Sequence, residues 1–461
     1  MVFSSGTFLF LFLPIVLLIY FNPLIRSRSF RNIFLFLASI VFYAWGEPIY
    51  VLLMLSSIFA NWLFGRLILA GRNSTVITVI AAIWNLSFLF VFKYLDFAIT
   101  NCNNLLNLSI PLFGIELPIG ISFYTFQAMS YVIDVKHKPE LAQRSFLNVG
   151  LYIACFPQLI AGPIVRYETV AQQIRERQEN WADFTVGLRR FLLGLAKKVI
   201  LANNLARFAD LAFDGNALSA GLAWLGAIAY MLQIYFDFSG YSDMAIGLGR
   251  MFGFRFDENF NYPYAAVSVT DFWRRWHISL STWFRDYVYI PLGGNRVRPA
   301  RHILNLFLVW LLTGIWHGAS WTFILWGLIY FVLLMLEKYT SLQKLPKLLG
   351  RIYTLLAVCL CWVLFRAPSL GSALTYLRAM FGAAPLGLWD GNASIALTNG
   401  AVYFVLGAAL SFPVLPFFAK KPLFQKPAMR YVLAAALLLI FLLTVGFILS
   451  SSYDPFIYFN F

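Results

Sequence analysis

The chain has 461 residues, of which 61% are hydrophobic and only 12% are charged, and its formal net charge is +15 at pH 7. A soluble domain usually has about a quarter of its residues charged, so this composition excludes a water-soluble globular protein. The apolar residues come in long runs and not in alternating strands of roughly ten residues, which argues against a membrane β-barrel. The composition therefore predicts an all-α, polytopic helical membrane protein.

The apolar runs predict about 11 to 12 transmembrane helices, because a spanning helix needs about 20 apolar residues. In chain order the candidate spans are 7–25, 32–45, 48–70, 75–99, 117–135, 187–212, 221–248, 303–316, 319–337, 352–366, 399–418 and 431–450. The first run is expected to be a retained helix and not a signal peptide, since no small-residue cleavage site follows it. Gly46-Glu47-Pro48 lies where the second span ends and the third begins. The two spans are alternatively one broken helix.

Segment 146–164 is expected to be re-entrant and not spanning, because Pro157, Gly162 and Pro163 interrupt it. Irregular backbone at membrane depth is tolerated where protein or a water-filled cavity satisfies its polar groups. With no internal repeat and no soluble domain in view, residues 1–461 are interpreted as one membrane domain.

The basic residues lie at the ends of the apolar runs and predict the orientation of the chain. Seven clusters would share one side: Arg26–Arg31, Arg66/Arg72, Lys136/Lys138, Arg189–Lys198, Arg274–Arg301, Lys338–Arg351 and Lys420–Arg430. By the positive-inside rule that side is cytoplasmic, and both termini are outside. Membrane orientation thus accounts for the positive charge without nucleic acid as a partner.

No spacing of cysteines and histidines in this chain indicates a metal site. The four cysteines, Cys102, Cys155, Cys359 and Cys361, lie in or beside apolar segments. Free cysteines in such places usually act as small buried hydrophobic residues. No phosphate-binding loop, nucleophile elbow or dinucleotide fingerprint is present either.

The four histidines are the best candidates for proton transfer near neutral pH. His137 and His302 adjoin basic residues and are expected to be exposed loop residues. His277 falls in the stretch from Asp271 to Asp286, which plots as an amphipathic helix with an aromatic stripe. His277 would then lie at the polar edge of an interfacial helix, beside Arg274, Ser281 and Arg285. Alternatively, it only helps to anchor that helix.

His317 is the strongest single candidate, because apolar runs flank it on both sides and place it at membrane depth. Gly314 and Gly318 have the spacing that lets another helix or a ligand approach closely. Thr313 and Ser320 are expected on the same helical face as the imidazole. The alternative is a structural histidine that bonds across two helices.

Asp237 and Asp243 are two acids in an otherwise apolar helix. Ionisable groups at membrane depth are functional candidates, here as residues that orient a histidine or bind substrate. They could equally bond to backbone or basic residues of neighbouring helices.

With these motifs in view, the chain resembles the membrane-bound O-acyltransferase family, and most closely its bacterial alginate O-acetylation branch. The matching stretches are Leu117–Gln127, Phe156–Arg166, Tyr235–Asp243, Phe272–Trp283, Tyr289–Arg296, Trp316–Trp321 and Pro455–Phe459, with core motifs within 117–321. The resemblance implies that His317 is the essential histidine and that His277 is a second site residue. It also implies a ring of helices around a thinned centre that is entered from both faces.

The resemblance further implies an acyltransferase of the bacterial inner membrane with no tightly bound cofactor. Acetyl-CoA or another cytoplasmic acyl thioester would be the donor, and an exported polysaccharide such as alginate would receive the group. The transfer would be direct or would pass through a periplasmic or extracellular acetyltransferase. Arg274 and Arg285, with Asp237, Asp243 and Ser320, are the candidate donor or substrate contacts, although the arginines are alternatively topology anchors.

Two alternatives remain at this point. Within the same class, the acceptor could be peptidoglycan, teichoic acid or a lipid. In another class, intramembrane acids and a re-entrant segment would also suit a transporter or flippase.

Overall fold

A computed structural model describes residues 1–215, 217–450 and 457, and within them every regular element is helical. The α-helices of the first half are α1 Leu13–Tyr20, α2 Arg28–Ala44, α3 Tyr50–Leu69, α4 Ser74–Leu89, α5 Leu95–Leu106, α6 Ile121–His137, α7 Phe146–Ala154, α8 Tyr167–Glu176, α9 Trp181–Ala196 and α10 Asn203–Phe213. Those of the second half are α11 Ala220–Met251, α12 Val269–Trp273, α13 Ile278–Phe284, α14 Pro299–His317, α15 Trp321–Tyr339, α16 Lys347–Arg366, α17 Leu370–Met380, α18 Gly391–Leu410, α19 Val414–Ala419, α20 Pro422–Gln425 and α21 Pro427–Ser450.

Short π-helical and 3₁₀ pieces adjoin several of these helices. The π-helical pieces are Phe8–Phe12, Phe90–Tyr94, Lys197–Ala202 and Arg285–Tyr289, and the 3₁₀ pieces are Pro139–Leu141, Pro263–Ala265 and Ser341–Lys344. The Pro455–Phe459 stretch lies outside the described residues except for Ile457.

The prediction of an all-α membrane protein is confirmed, and each predicted span coincides with a helix. Seven helical stretches of the described part are long and apolar enough to cross a membrane: Tyr50–Leu69, Ser74–Leu106, Ala220–Met251, Trp321–Tyr339, Lys347–Arg366, Gly391–Leu410 and Pro427–Ser450. A shorter apolar helix covers Phe8–Tyr20. The remaining predicted spans form helices that do not meet the same criteria of length, hydropathy and charge. Seven of the expected 11 to 12 spans are thus clear by length and composition, and the exact number stays a prediction.

The segment expected to be re-entrant does not form a spanning helix. It begins with α7, which ends at Ala154, and continues as turns and irregular backbone through Arg166. Most of this irregular stretch is buried in protein. Hydrogen bonds hold this backbone in place; for example, the hydroxyl of Tyr152 donates to the carbonyl oxygen of Val165 at 2.8 Å. This arrangement is the one in which irregular backbone is tolerated at membrane depth.

The chain divides into two compact units, Met1–Phe191 with Ser242–Asp257, and Leu192–Tyr241 with Glu258–Phe461. The first unit contains polar pairs between helices: the side-chain amides of Asn61 and Asn85 exchange hydrogen bonds at 3.0 and 2.8 Å. Both residues are fully buried, so each amide satisfies the other where water is absent. That the chain acts as a single domain stays a prediction.

The second unit is built around the close packing of α14 and α15. A side chain at Gly314 would lie 2.6 Å from the carbonyl oxygen of Phe323, and one at Gly327 would lie 2.5 Å from that of Trp310. Only hydrogen fits at these positions, so the two helix backbones touch directly. The expectation that Gly314 lets another helix approach closely is confirmed, and this contact fixes the end of α14 where His317 lies.

Candidate active site

The segment that carries His277 is not the continuous amphipathic helix expected from the sequence. Helix α12 ends at Trp273, and α13 begins only at Ile278. Between them His277 has a φ of 44°, in the left-handed region that residues other than glycine seldom adopt. The expectation of a polar-edge position is also wrong, because His277 is 1% exposed. The left-handed residue turns the chain and buries the ring.

Helix α12 is held at its start by an acid from far along the chain. The backbone N–H groups of Val269 and Thr270 donate to the Glu337 carboxylate, the second at 2.9 Å, and the Thr270 hydroxyl donates to it at 2.6 Å. Glu337 is 1% exposed. A carboxylate is favourable at a helix N-terminus, where the N–H groups have no partner within the helix.

The imidazole of His277 is oriented by Asn259. The Nδ1 atom of His277 lies 3.1 Å from Oδ1 of Asn259. The same oxygen accepts from the backbone N–H of Ser279 at 3.2 Å and from its hydroxyl at 2.9 Å. Because this atom accepts from a backbone N–H, it is the amide oxygen, and Nδ1 must donate the hydrogen. In the neutral ring Nε2 is then the basic atom.

His317 is the last residue of α14, and its ring is held by its own helix. Its Nδ1 atom lies 2.7 Å from the carbonyl oxygen of Thr313, one turn earlier. A carbonyl oxygen can only accept, so Nδ1 carries the hydrogen and Nε2 of the neutral ring holds the lone pair. Gly318 is extended, with φ −179° and ψ 157°, and ends the helix directly after the histidine.

Aromatic side chains surround both imidazoles and bury them. The ring of His317, 3% exposed, has its centroid 4.8 Å from that of Trp326 and 5.5 Å from that of Phe365. Trp316 lies beside both histidines, with centroids 5.0 Å from His317 and 6.0 Å from His277. Burial, and the charge that His317 would carry, lower the pKa of His277 well below its usual range. The site therefore favours a neutral His277.

A cavity of about 460 Å³ runs beside this site, lined mainly by α12 to α15. Arg274 and Arg285 line it, as do Lys338 and the aromatic rings of Trp273 and Trp310. Thr313, the residue whose carbonyl holds His317, also lines it. Trp273 in turn lies 5.7 Å from Trp326, which contacts His317. The cavity therefore combines exposed basic groups with an aromatic wall and reaches within one helical turn of the histidine.

The structure corrects the expectation for His302, while His137 is exposed as predicted, although it is the last residue of α6 and not a loop residue. His302 is only 5% exposed and lines the cavity. Its Nε2 atom lies 3.0 Å from the hydroxyl oxygen of Tyr289, and Nζ of Lys338 lies 3.1 Å from its Nδ1 atom. The adjacent Arg301 suggested a loop, but α14 starts at Pro299 and turns His302 inward.

The other candidate residues have partners elsewhere. Asp237 is buried in an ion pair with Nζ of Lys198 at 2.8 Å and accepts from the backbone N–H of Ile457 at 3.0 Å. Asp243 belongs to the first unit and pairs with Arg190 at 2.8 Å. The hydroxyl of Ser320 caps α15 by accepting from the backbone N–H of Thr322 at 3.3 Å. Since α14 ends at His317, Ser320 does not share its helical face.

Three site residues were missed by the sequence reasoning. Asn259 gave no signal, since nothing in a polar loop marks an amide that holds a histidine 18 residues later. Glu337 could have been noticed, because it is an acid at the end of the apolar run of α15, while Lys338 was assigned only to a basic cluster that sets the orientation. The described residues contain no group of histidines, cysteines and acids that could hold a metal ion.

Comparison with known protein families shows which family the chain belongs to. Residues 70–371 match the model of the membrane-bound O-acyltransferase family. The chain is a member of that family. The resemblance drawn from the motifs is thereby confirmed, as is the prediction of an O-acyltransferase in a multi-pass membrane protein.

Several curated relatives cover most of the chain. It is 42% identical over 442 residues to the probable alginate O-acetylase AlgI of Pseudomonas aeruginosa, which covers 93% of this chain and 83% of the relative. It is 35% identical to the peptidoglycan O-acetyltransferase of Helicobacter pylori, across 100% of this chain and 98% of that protein. The teichoic acid D-alanyltransferase of Bacillus subtilis is 30% identical across 52% of this chain and 64% of its own length.

Proposed function

We propose that this acyltransferase moves acetyl groups from a cytoplasmic acyl thioester across the bacterial inner membrane for O-acetylation of an exported polysaccharide. The observation that carries the proposal is the buried His317, whose Nε2 atom holds the lone pair and which lies one helical turn beyond Thr313, a lining residue of the cavity with exposed basic groups. Alginate is the leading acceptor, because relatives similar over most of the chain are probable alginate O-acetylases.

The cavity suits the donor better than the polymer. Arg274, Arg285 and Lys338 belong to the basic clusters that the positive-inside rule assigns to the cytoplasm. Thioester donors such as acetyl-CoA carry phosphates, which guanidinium groups bind through charge-assisted hydrogen bonds. The aromatic wall of Trp273 and Trp310 would cover the apolar arm of the donor, which has to reach past Thr313 to the histidine.

The chemistry follows from the tautomer of His317. Nε2 accepts the proton of an acceptor hydroxyl while that oxygen attacks the thioester carbonyl carbon. The carbon–oxygen bond forms, the carbon–sulfur bond breaks, and the leaving thiolate takes the proton back from Nε2. A positioned general base of this kind typically contributes about 10²–10⁴-fold. The neutral His277 lies next to the reacting groups and would position the donor or the acceptor.

Peptidoglycan is the second candidate acceptor, because the relative in Helicobacter pylori aligns with the chain over nearly the whole of both proteins. The teichoic acid relative aligns over about half of this chain and gives weaker support. Membership of an acyltransferase family favours acyl transfer over the transporter or flippase hypothesis. A periplasmic or extracellular partner that completes the transfer remains part of the proposal.

The proposal is tested in proteoliposomes with acetyl-labelled acetyl-CoA inside and an alginate oligosaccharide outside. Direct transfer places the label on the external oligosaccharide, and His317→Ala vesicles serve as the control. Release of labelled acetate without labelled oligosaccharide would support transfer through a partner. A muropeptide that accepts the label better than the oligosaccharide would replace alginate by peptidoglycan. If the wild-type protein neither transfers nor releases acetate, the thioester donor is wrong.

A further inference from the structure

A second cavity, of about 630 Å³, lies in the first unit and has no part in the histidine site. One wall is the end of the first apolar helix and the turn that follows it, from Leu17 to Pro23. The other wall is the start of α9, including Trp181 and Phe184. Arg31 and Glu179 lie between these walls.

The walls of this cavity are apolar and open to the surroundings. Leu18 is 74% exposed and Trp181 is 81% exposed. Phe184 lies between Phe21 and Trp181, with ring centroids 5.5 and 5.6 Å away. Trp181, the first residue of α9, lines the cavity together with the end of the first apolar helix, and exposed tryptophans are typical of the boundary between hydrocarbon and head groups. This position suits the upper part of a lipid acyl chain.

The polar side of the cavity carries an excess of positive charge. Arg28 and Arg31 both donate to the Glu179 carboxylate, at 2.9 and 3.0 Å from its Oε2 atom. The guanidinium groups of Arg28, Arg31 and Arg177 all lie within 3.6 Å of the single Glu179 carboxylate, and of these three Arg31 lines the cavity. The Nε–H of Arg31 is buried with no hydrogen-bond partner among the described residues.

We propose that this cavity binds an anionic phospholipid, with its phosphate at Arg31 and an acyl chain along Leu17 and Leu18. The positive excess around Glu179 selects a phosphate of net negative charge. The apolar wall selects a lipid over a soluble phosphate compound. Because Arg26–Arg31 is one of the clusters expected to be cytoplasmic, the lipid comes from the inner leaflet, whose surface is negative.

The test is native mass spectrometry of the delipidated protein titrated with dioleoylphosphatidylglycerol or dioleoylphosphatidylcholine. The two lipids have the same chains and differ in net charge. The wild-type protein should bind the anionic lipid at least roughly fivefold more tightly, the effect of one basic group on an anionic lipid. Soluble glycerol phosphate, which lacks the chains, should bind far more weakly than the lipid.

Two variants locate the preference. Asn22→Asp keeps the acceptor that Asn22 Oδ1 offers to the backbone N–H of Leu24 at 2.9 Å, but adds a negative charge to the cavity wall. It should reduce the preference for the anionic lipid roughly fivefold, and Arg31→Gln should do the same. The exposed Arg72, which does not line the cavity, supplies the control Arg72→Gln, which should keep the preference.

Three results would overturn the proposal. These are equal binding of the two lipids by the wild-type protein, full preference in Asn22→Asp, and glycerol phosphate binding as tight as that of the lipid. If Arg31→Gln unfolds because Glu179 loses a partner, the lipid preference of Asn22→Asp alone decides whether the cavity binds the anionic lipid. The assay measures binding only, so its outcome is independent of the acyltransfer reaction.

Discussion

The two buried histidines are held in opposite ways. His317 donates its Nδ1 hydrogen to a carbonyl of its own helix, four residues earlier. His277 donates to the side chain of Asn259, across a loop, and its backbone is left-handed. The first ring is fixed by local helix geometry, while the second depends on residues distant in the sequence. The same tautomer, with Nε2 as the base, is reached by both routes.

This difference indicates a division of roles. A ring that its own helix fixes is ready for proton transfer whatever substrate is bound, which suits a general base. A ring that sits on a loop and is oriented by a side chain 18 residues away can shift with the substrate. The following predictions test that division, from the largest expected effect to the smallest.

His317→Ala should reduce O-acetylation in cells by at least about 100-fold, because it removes the positioned base. The measurement is the acetyl content of the exported polymer relative to wild type. His137→Ala is the matched control, since His137 is exposed and should leave the acetyl content unchanged. Substantial acetylation by the His317 variant would remove this residue from the mechanism.

Asn259→Ala should reduce turnover roughly fivefold to tenfold, the effect of losing about one hydrogen bond. The change frees the His277 ring to adopt the wrong tautomer without touching His317. Asn259→Asp keeps an acceptor at the same place and should recover part of the rate. The exposed Asn392 provides the control Asn392→Ala. Equal turnover of Asn259→Ala and wild type would show that the orientation of His277 does not matter.

Changing Arg274 and Arg285 together to Gln should raise the KM for acetyl-CoA roughly fivefold, since each exposed charge pair contributes up to about 1 kcal/mol. The readout is the ratio of KM values for acetyl-CoA and for acetyl-pantetheine, which lacks the phosphates. Arg275→Gln is the control, because Arg275 pairs with Asp271 and does not line the cavity. If KM rises equally for both donors, the arginines do not bind phosphate.

The buried His277 should make the protein less stable in acid. Its pKa in the folded protein lies below the usual value of about 6.5. Below about pH 6.5 the unfolded chain therefore binds a proton at His277 more readily than the folded chain does. The stability is retained above about pH 6.5 and falls below it, by at most about 1.4 kcal/mol per pH unit. His277→Asn should therefore lose less thermal stability between pH 7.5 and 5.5 than wild type. Identical losses would mean that folding does not lower the pKa of His277.

The proposed orientation should be visible without any change in activity. In a Cys102→Ser background, a membrane-impermeant thiol reagent added outside should label a cysteine at Asn392 and not one at Lys347. Both positions are exposed, at the N-terminal ends of α18 and α16. The reverse labelling pattern would invert the topology and move the donor cavity to the outer face.

The helices and the burial of His317 were predictable because each depends on neighbouring residues. Apolar runs located all the predicted helices, and the runs on both sides of His317 placed it among them. The setting of His277 was not predictable, since it depends on Asn259 and on Glu337, 60 residues further along the chain. His302 was misplaced because the basic residue beside it suggested a loop, whereas the start of α14 at Pro299 turns it inward. Contacts between residues that are distant in the sequence leave no pattern in the residues next to the histidine.

The central claim is that His317 acts as the base and does not merely tie its helix in place. The most direct test measures acetyl transfer and melting temperature on the same purified His317→Ala protein. We predict a loss of at least about 100-fold in transfer with the melting temperature close to that of wild type. A melting temperature that falls in step with activity, or transfer that persists, would contradict the assignment.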